Sequence, residues 1–275
     1  MPELPETETI ARDLNSAIAG RIVESVKVRK PDVLREIGRI AFARRMIGAR
    51  IARSWRRAKL IVTDLSTGDH IVVQPRFTGA LIVEERDTDP TLLAYSTMRI
   101  ALDDGRALHY CDVRRLGTVA LMNEQRFAEY SDNLGIEPLD QSFTQAQLSG
   151  VLRVSGQPVK KVLMDQRKIA GIGNIYANEA LWRAGIDPSR AARSVSADES
   201  MRLHHEIVSV LKESIAARGT SFRDYRDARG QRGSFAEKLQ VYGRGGEACM
   251  KCGARLILTH AVDGRATVFC ARCQS

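Results

Sequence analysis

The chain opens Met1-Pro2-Glu3-Leu4-Pro5-Glu6, and removal of Met1 would leave Pro2 as a free secondary amine beside a carboxylate. An α-amino group titrates at roughly pH 8, so a sizeable fraction is uncharged near neutrality, where a lysine would need strong perturbation. Such an amine attacks electrophilic carbon and forms an iminium, and a neighbouring Glu moves the protons. A plainer reading stands beside this one: Pro2 and Pro5 start a helix, and Glu3, Glu6 and Glu8 complement its dipole.

A second chemistry lies at the other end, in Cys249-x2-Cys252-x17-Cys270-x2-Cys273. Two CxxC knuckles at this separation match a structural tetrahedral zinc site, closed to water and therefore not catalytic; a degenerate site that packs without metal is the alternative. Between the knuckles lie Arg255, His260 and Arg265. A hairpin pinned by the metal presents Arg265 to a phosphate as a bidentate donor, unless Arg265 is simply a solvated residue on the turn after Gly264. Upstream, Gly171-Ile172-Gly173-Asn174 forms a glycine-flanked turn entering a helix at Asn174, with Lys160, Lys161, Arg167 and Lys168 around it. Free amides and the helix dipole there suit an anion.

The elements that position these groups follow from composition and periodicity. The 275 residues carry a net charge of +9; residues 1–150 hold 21 basic and 21 acidic side chains, residues 151–275 hold 21 and 12. The basic excess in the second half favours a polyanion, and with neither a long apolar run nor a basic-then-apolar leader the expectation is nucleic acid in the cytoplasm, not a membrane. Ile10, Leu14 and Ile18 mark a helix over 5–19 that Gly20 ends. Short Val/Ile/Leu-rich runs follow at 21–28, 59–65, 70–73, 80–84, 98–102 and 107–110, separated by turn residues, and predict antiparallel hairpins in a sandwich or barrel. Beyond a polar link, helical periods occupy 146–154, 160–165, 174–184 and about 197–218, the last with a Ser196/Glu199 capping box and Gly219 at its end. The expected fold class is α+β, divided into an N-terminal domain over 1–133, a linker over 134–141, a helical DNA-binding domain over 142–235 and a zinc finger over 236–275.

Together, Pro2-Glu3-Leu4-Pro5-Glu6, the segment 163–176 with Asn178 and Glu179, Gln240-Val241-Tyr242-Gly243-Arg244 and the finger ending Cys270-Ala271-Arg272-Cys273-Gln274 resemble the bacterial formamidopyrimidine-DNA glycosylase (Fpg)/endonuclease VIII family. The resemblance implies a β-sandwich, a helix-two-turns-helix unit and a zinc finger, acting as a monomer on double-stranded DNA with oxidised bases or abasic sites. The damaged nucleotide would lie flipped out, in a basic cleft between domains. Pro2 would attack C1′ and the resulting iminium undergo β- and δ-elimination, with Glu3 moving protons at the sugar and Glu6 supporting the site. Lys59 matches the family's active-site lysine, Asn174 and Arg265 the pair that grips phosphates beside the lesion, and Lys160 a position associated with DNA contacts. The void left by the flipped base, usually filled by Met, Arg and Phe, would be filled by Phe77, Arg114 and Leu116. The loop from Thr220 to Ser234, with Arg223, resembles the one that closes over an oxidised purine, so 8-oxoguanine and formamidopyrimidines are favoured over oxidised pyrimidines.

Overall fold

A computed structural model describes residues 2–222 and 225–275, which form two compact units. The first comprises Met1–Asp132 and Ile215–Ala236, the second Asn133–Ser214 and Glu237–Ser275.

In the first unit α1 (Leu4–Ile18) leads into β1 (Val23–Val28), β2 (Leu34–Arg35), α2 (Arg39–Met46), β3 (Ile51–Arg57), β4 (Leu60–Leu65), β5 (Asp69–Gln74), β6 (Gly79–Glu84), α3 (Pro90–Leu93), β7 (Ser96–Leu102), β8 (Ala107–Asp112), β9 (Thr118–Asn123) and α4 (Glu124–Asp132). Two sheets result, ordered β1-β7-β8-β6 and β2-β9-β5-β4-β3. All pairs are antiparallel except the short β2/β9 contact. Alternate residues point to one core: Ile71 and Val73, Val119 and Leu121, Leu81 and Val83, Met98, Ile100 and Leu102, and Leu108 and Tyr110 meet Ile10, Leu14 and Ile18 of α1. The period of two along a strand and of about 3.6 along a helix put these side chains on single faces. The expected helix and sandwich are present, with β2, β3, β9, α2, α3 and α4 added to the runs read from the sequence.

Residues 215–235, expected with the helical domain, pack with Ala236 in the first unit. Arg218 explains the placement: its guanidinium bonds Asp13 of α1 at 2.5 Å and Asp227 at 2.5 and 2.9 Å. Both carboxylates are buried, and a buried carboxylate needs a paired cation.

The second unit is helical: α5 (Gln145–Arg153), α6 (Val159–Met164), α7 (Asn174–Ala184) and α8 (Ala197–Ala216, within this unit through Ser214), followed by the hairpin β10 (Ile257–Thr259) and β11 (Thr267–Phe269). Glu179 of α7 is fully buried and accepts the backbone N–H groups of Gln240, Val241 and Tyr242 at 2.8–2.9 Å. One helical carboxylate thus fixes the entry to the cysteine-rich segment.

Candidate functional site

In the first unit, the groups expected to react gather at the start of α1. Pro2, Glu3 and Glu6 are all buried. Glu3 is the N-cap residue, and its N–H donates to Glu6 Oε2 at 2.8 Å. Glu6 Oε1 accepts the N–H of Thr220 at 2.8 Å, so one carboxylate binds the amino terminus to the chain that follows α8. Gly219 permits that approach: its φ is 85°, and a Cβ would lie 3.0 Å from Glu6 Cγ. Tyr225 is buried over the same helix turn, its hydroxyl 3.4 Å from the Glu6 carbonyl, and burial followed by the Glu6 charge pushes its phenol well above the usual range.

Lys59 arrives from the side. It sits with Ala58 in the two-residue turn between β3 and β4, with Ala58 at φ 53°. The Ala58 carbonyl accepts from Arg56 Nη1 at 3.1 Å and faces Thr7 Oγ1 at 3.4 Å, which sets the turn against the first turn of α1. Arg56 also bonds Glu8 at 2.8 Å. Burial raises the Glu8 carboxyl, but the guanidinium groups of Arg56 and Arg12 outweigh it and hold the group below the usual carboxylate range. Lys59 itself is buried, away from the water that a plain surface lysine would face.

Two further loops of the same unit carry Phe77 and, between β8 and β9, Arg114 and Leu116. Phe77 is 47% and Leu116 40% exposed, so neither belongs to the core. The Arg114 guanidinium lies 5.1 Å over the Phe77 ring, within the range of a cation–π contact. Phe77 and Arg115 have φ of 41° and 51°, a conformation that side chains other than glycine adopt at a cost.

In the second unit, Asn174 bonds the residue that follows Arg265 between β10 and β11. Asn174 begins α7 as expected and donates through Nδ2 to Ala266 O at 3.0 Å. Arg265 is exposed, its N–H bonded to Asp263 at 3.1 Å. Lys160 requires a correction. It is fully buried, and its ammonium donates to Thr267 Oγ1 at 2.7 Å, Ala266 O at 3.3 Å and Asp263 Oδ1 at 3.4 Å. A sealed ammonium cannot meet a solvated phosphate; Lys160 instead holds the loop that projects Arg265. Arg223 lies outside the described residues.

The four cysteines close beneath that hairpin, all their sulfurs within 4.8 Å of one another. Cys249 and Cys273 are 4.0 Å apart and Cys252 and Cys270 3.5 Å. A tetrahedral ion with sulfur at about 2.3 Å sets ligand pairs about 3.8 Å apart, so the cluster fits a structural metal ion. The shell is dry: Trp182, Val241, Leu256 and Val268 pack around Cys249 and Cys270. Burial raises the Cys249 thiol, yet the N–H groups of Lys251 and Cys252 outweigh it and lower it, while burial and then the neighbouring sulfurs raise Cys270, and the neighbouring sulfurs and then burial raise Cys273.

Sequence reasoning assigned no role to Asp112, Tyr110 or Glu179. The signal for Asp112 was its position, a single acid closing the apolar run of β8; for Glu179 there was none beyond its place in a matched segment.

Comparison with known proteins supplies the remaining evidence. Residues 1–119 match the family model for the formamidopyrimidine-DNA glycosylase N-terminal domain and residues 134–226 that for the formamidopyrimidine-DNA glycosylase H2TH domain. The chain is 42% identical over 279 residues to the formamidopyrimidine-DNA glycosylase of Heliobacterium modesticaldum, covering all of both chains. Its fold is similar to that of the MutM (Fpg) protein from Thermus thermophilus, with a TM-score of 0.87, 34% identity, and 99% and 98% of the two chains covered. It is also similar to wild-type Lactococcus lactis Fpg in complex with N7-benzyl-Fapy-dG containing DNA, with a TM-score of 0.91, 30% identity and full coverage of both.

Proposed function

The chain belongs to the formamidopyrimidine-DNA glycosylase family, and from that premise we propose that it removes oxidised purines from duplex DNA and then cleaves the strand, acting both as glycosylase and as abasic-site lyase. The observation that carries this reading is the Glu6 carboxylate, which binds the N–H groups of Glu3 and Thr220 at once. It fixes the amino terminus of α1 in a buried setting, with the Lys59 turn against the same helix end. Positioning of this kind converts a bimolecular attack into an effectively unimolecular one.

After Met1 is removed, the Pro2 nitrogen donates its lone pair to C1′ of the damaged nucleotide. The glycosidic bond breaks and the base departs with a proton. Glu3 moves protons at the opening sugar, and the iminium between Pro2 and C1′ acidifies the C2′ hydrogen. Loss of that proton expels the 3′ phosphate by β-elimination; a second elimination releases the 5′ phosphate. Water then adds to C1′ and hydrolyses the conjugated iminium, which frees the Pro2 amine and leaves an unsaturated aldehyde, so atoms and charge balance with no external oxidant. Phe77, Arg114 and Leu116 enter the space the flipped base leaves, while Arg265 and the N-terminus of α7 take phosphates. Cys249, Cys252, Cys270 and Cys273 would hold zinc, which would shape the hairpin and take no part in the elimination.

The test is borohydride reduction during turnover on duplex DNA containing 8-oxoguanine. The expected product is a covalent protein–DNA adduct whose peptide map places the link at Pro2, with processed mass lacking Met1. A protein that forms no adduct and cuts no strand overturns the proposal. Faster single-turnover cleavage of a thymine glycol duplex than of an 8-oxoguanine duplex would instead assign the chain to oxidised pyrimidines.

A further inference from the structure

We propose, building on the glycosylase reading, that Asp112 is a positioning residue which joins the Phe77 loop and the Arg114–Leu116 loop into one preformed wedge through the Thr78 hydroxyl. Asp112 closes β8 and is 2% exposed. Its Oδ1 accepts the Thr78 hydroxyl at 2.5 Å, and its Oδ2 accepts the Gly117 N–H at 2.8 Å and the Tyr110 hydroxyl at 3.1 Å. Thr78 Oγ1 in turn accepts the Arg114 N–H at 3.1 Å. Each loop is therefore tied to the carboxylate, and the two are tied to each other through a single hydroxyl.

Steric fit points the same way. Both loops end on a glycine pressed to Tyr110: a Cβ on Gly79 would stand 2.8 Å from its hydroxyl and one on Gly117 1.9 Å. Burial, then the Asp112 charge, pushes the Tyr110 phenol far above its usual range, so it stays protonated and donates. The left-handed backbone at Phe77 and Arg115 is strained and persists only where surroundings over-determine it; the Asp112 hub is what over-determines it here. The Phe77 ring and Arg114 guanidinium consequently stack before any DNA is present. A wedge held in its inserted shape loses less conformational freedom on entering the duplex. A loose pair of loops would have to order at that moment, and the Arg114 donors would meet the widowed base in several geometries, blurring which base is read.

The experiment follows wedge insertion directly, with 2-aminopurine fluorescence beside a tetrahydrofuran abasic analogue placed opposite cytosine or adenine. Thr78→Val keeps the side-chain shape and removes the hydroxyl. Insertion should slow roughly tenfold, the size of one lost buried hydrogen bond, and the cytosine-to-adenine ratio should fall, while Thr78→Ser stays within about twofold of the wild type. In a Phe77→Ala background Thr78→Val should add less than its full effect on the fluorescence, because only the Arg114 loop remains to be placed; a general packing defect would add in full. Insertion by Thr78→Val at the wild-type rate, or equal loss in Thr78→Ser, overturns the coupling. The glycosylase reading is judged separately on the wild-type borohydride adduct: without that adduct both fall, whereas with it an insensitive Thr78→Val removes only the wedge.

Discussion

Glu6 shows how much one side chain is asked to hold. Both carboxylate oxygens are occupied by backbone donors, one from Glu3 and one from Thr220, which lies 214 residues beyond Glu6 in the chain, a task only a group with two acceptor oxygens performs. Glu6→Gln turns one of those acceptors into an NH2 facing another N–H. The expected cost is about 1–3 kcal/mol for the stranded donor, read as a lower urea midpoint, together with slower borohydride adduct formation. Unchanged adduct kinetics in Glu6→Gln would mean that the amino terminus is positioned by other contacts. Lys160 makes the opposite lesson at the same scale. A family position associated with DNA contacts gave a cation near DNA, yet the ammonium is taken up by Thr267, Ala266 and Asp263. Local sequence cannot distinguish a lysine that meets phosphate from one that supports the arginine that does, because both lie in basic, glycine-punctuated surroundings.

Helix α8 carries the capping box read from its sequence: Ser196 N–H donates to Glu199 at 2.8 Å and Glu199 N–H to the Ser196 hydroxyl at 3.3 Å. Arg190 adds a bidentate pair to Glu199 at 2.6 and 3.0 Å and is the main reason its carboxyl falls to about 2 from an ordinary 4.5. The folded value lies below the unfolded one, so the stabilisation is full above pH 4.5 and is lost as pH falls through about 2. Glu199→Gln should lower stability by about 1 kcal/mol at pH 6, and its deficit against the wild type should shrink in melts at progressively lower pH. A deficit independent of pH would refute the ionic part. Helices with caps and long apolar stripes, α1, α7 and α8, were legible for this reason. The strand β3 was not: its register shifts between Ile51 and Arg53, which breaks the alternation, and its outward residues are arginines. Helix α2 buries only Phe42 and Met46, one turn of signal. The wedge residues were legible only by likeness to a family; the hub beneath them needed the loops brought together, since residues 78, 112 and 117 share no local pattern.

At the scale of the molecule, the four-cysteine cluster belongs to the second unit and the amino terminus to the first. A strong chelator should remove the ion from the four-cysteine cluster, lower the melting temperature and abolish tight duplex binding, with released metal measured by mass spectrometry. Holoprotein affinity should fall linearly on a logarithmic salt scale, and Arg265→Ala should reduce that slope by about one phosphate contact. Binding that survives both chelation and high salt would contradict the assignment of the second unit. The first unit, meanwhile, is discontinuous, built from Met1–Asp132 and Ile215–Ala236, with Thr220 closing on Glu6. At about 5–20 residues per second on the ribosome, Thr220 emerges roughly 10–40 s after Glu6. A growing chain therefore exposes its amino terminus early but completes the clasp on Glu6 only late in translation. Abandoned or prematurely terminated products lack Thr220 and with it the clasp on Glu6, so the chemistry proposed for the opening residues would stay silent until most of the message has been read.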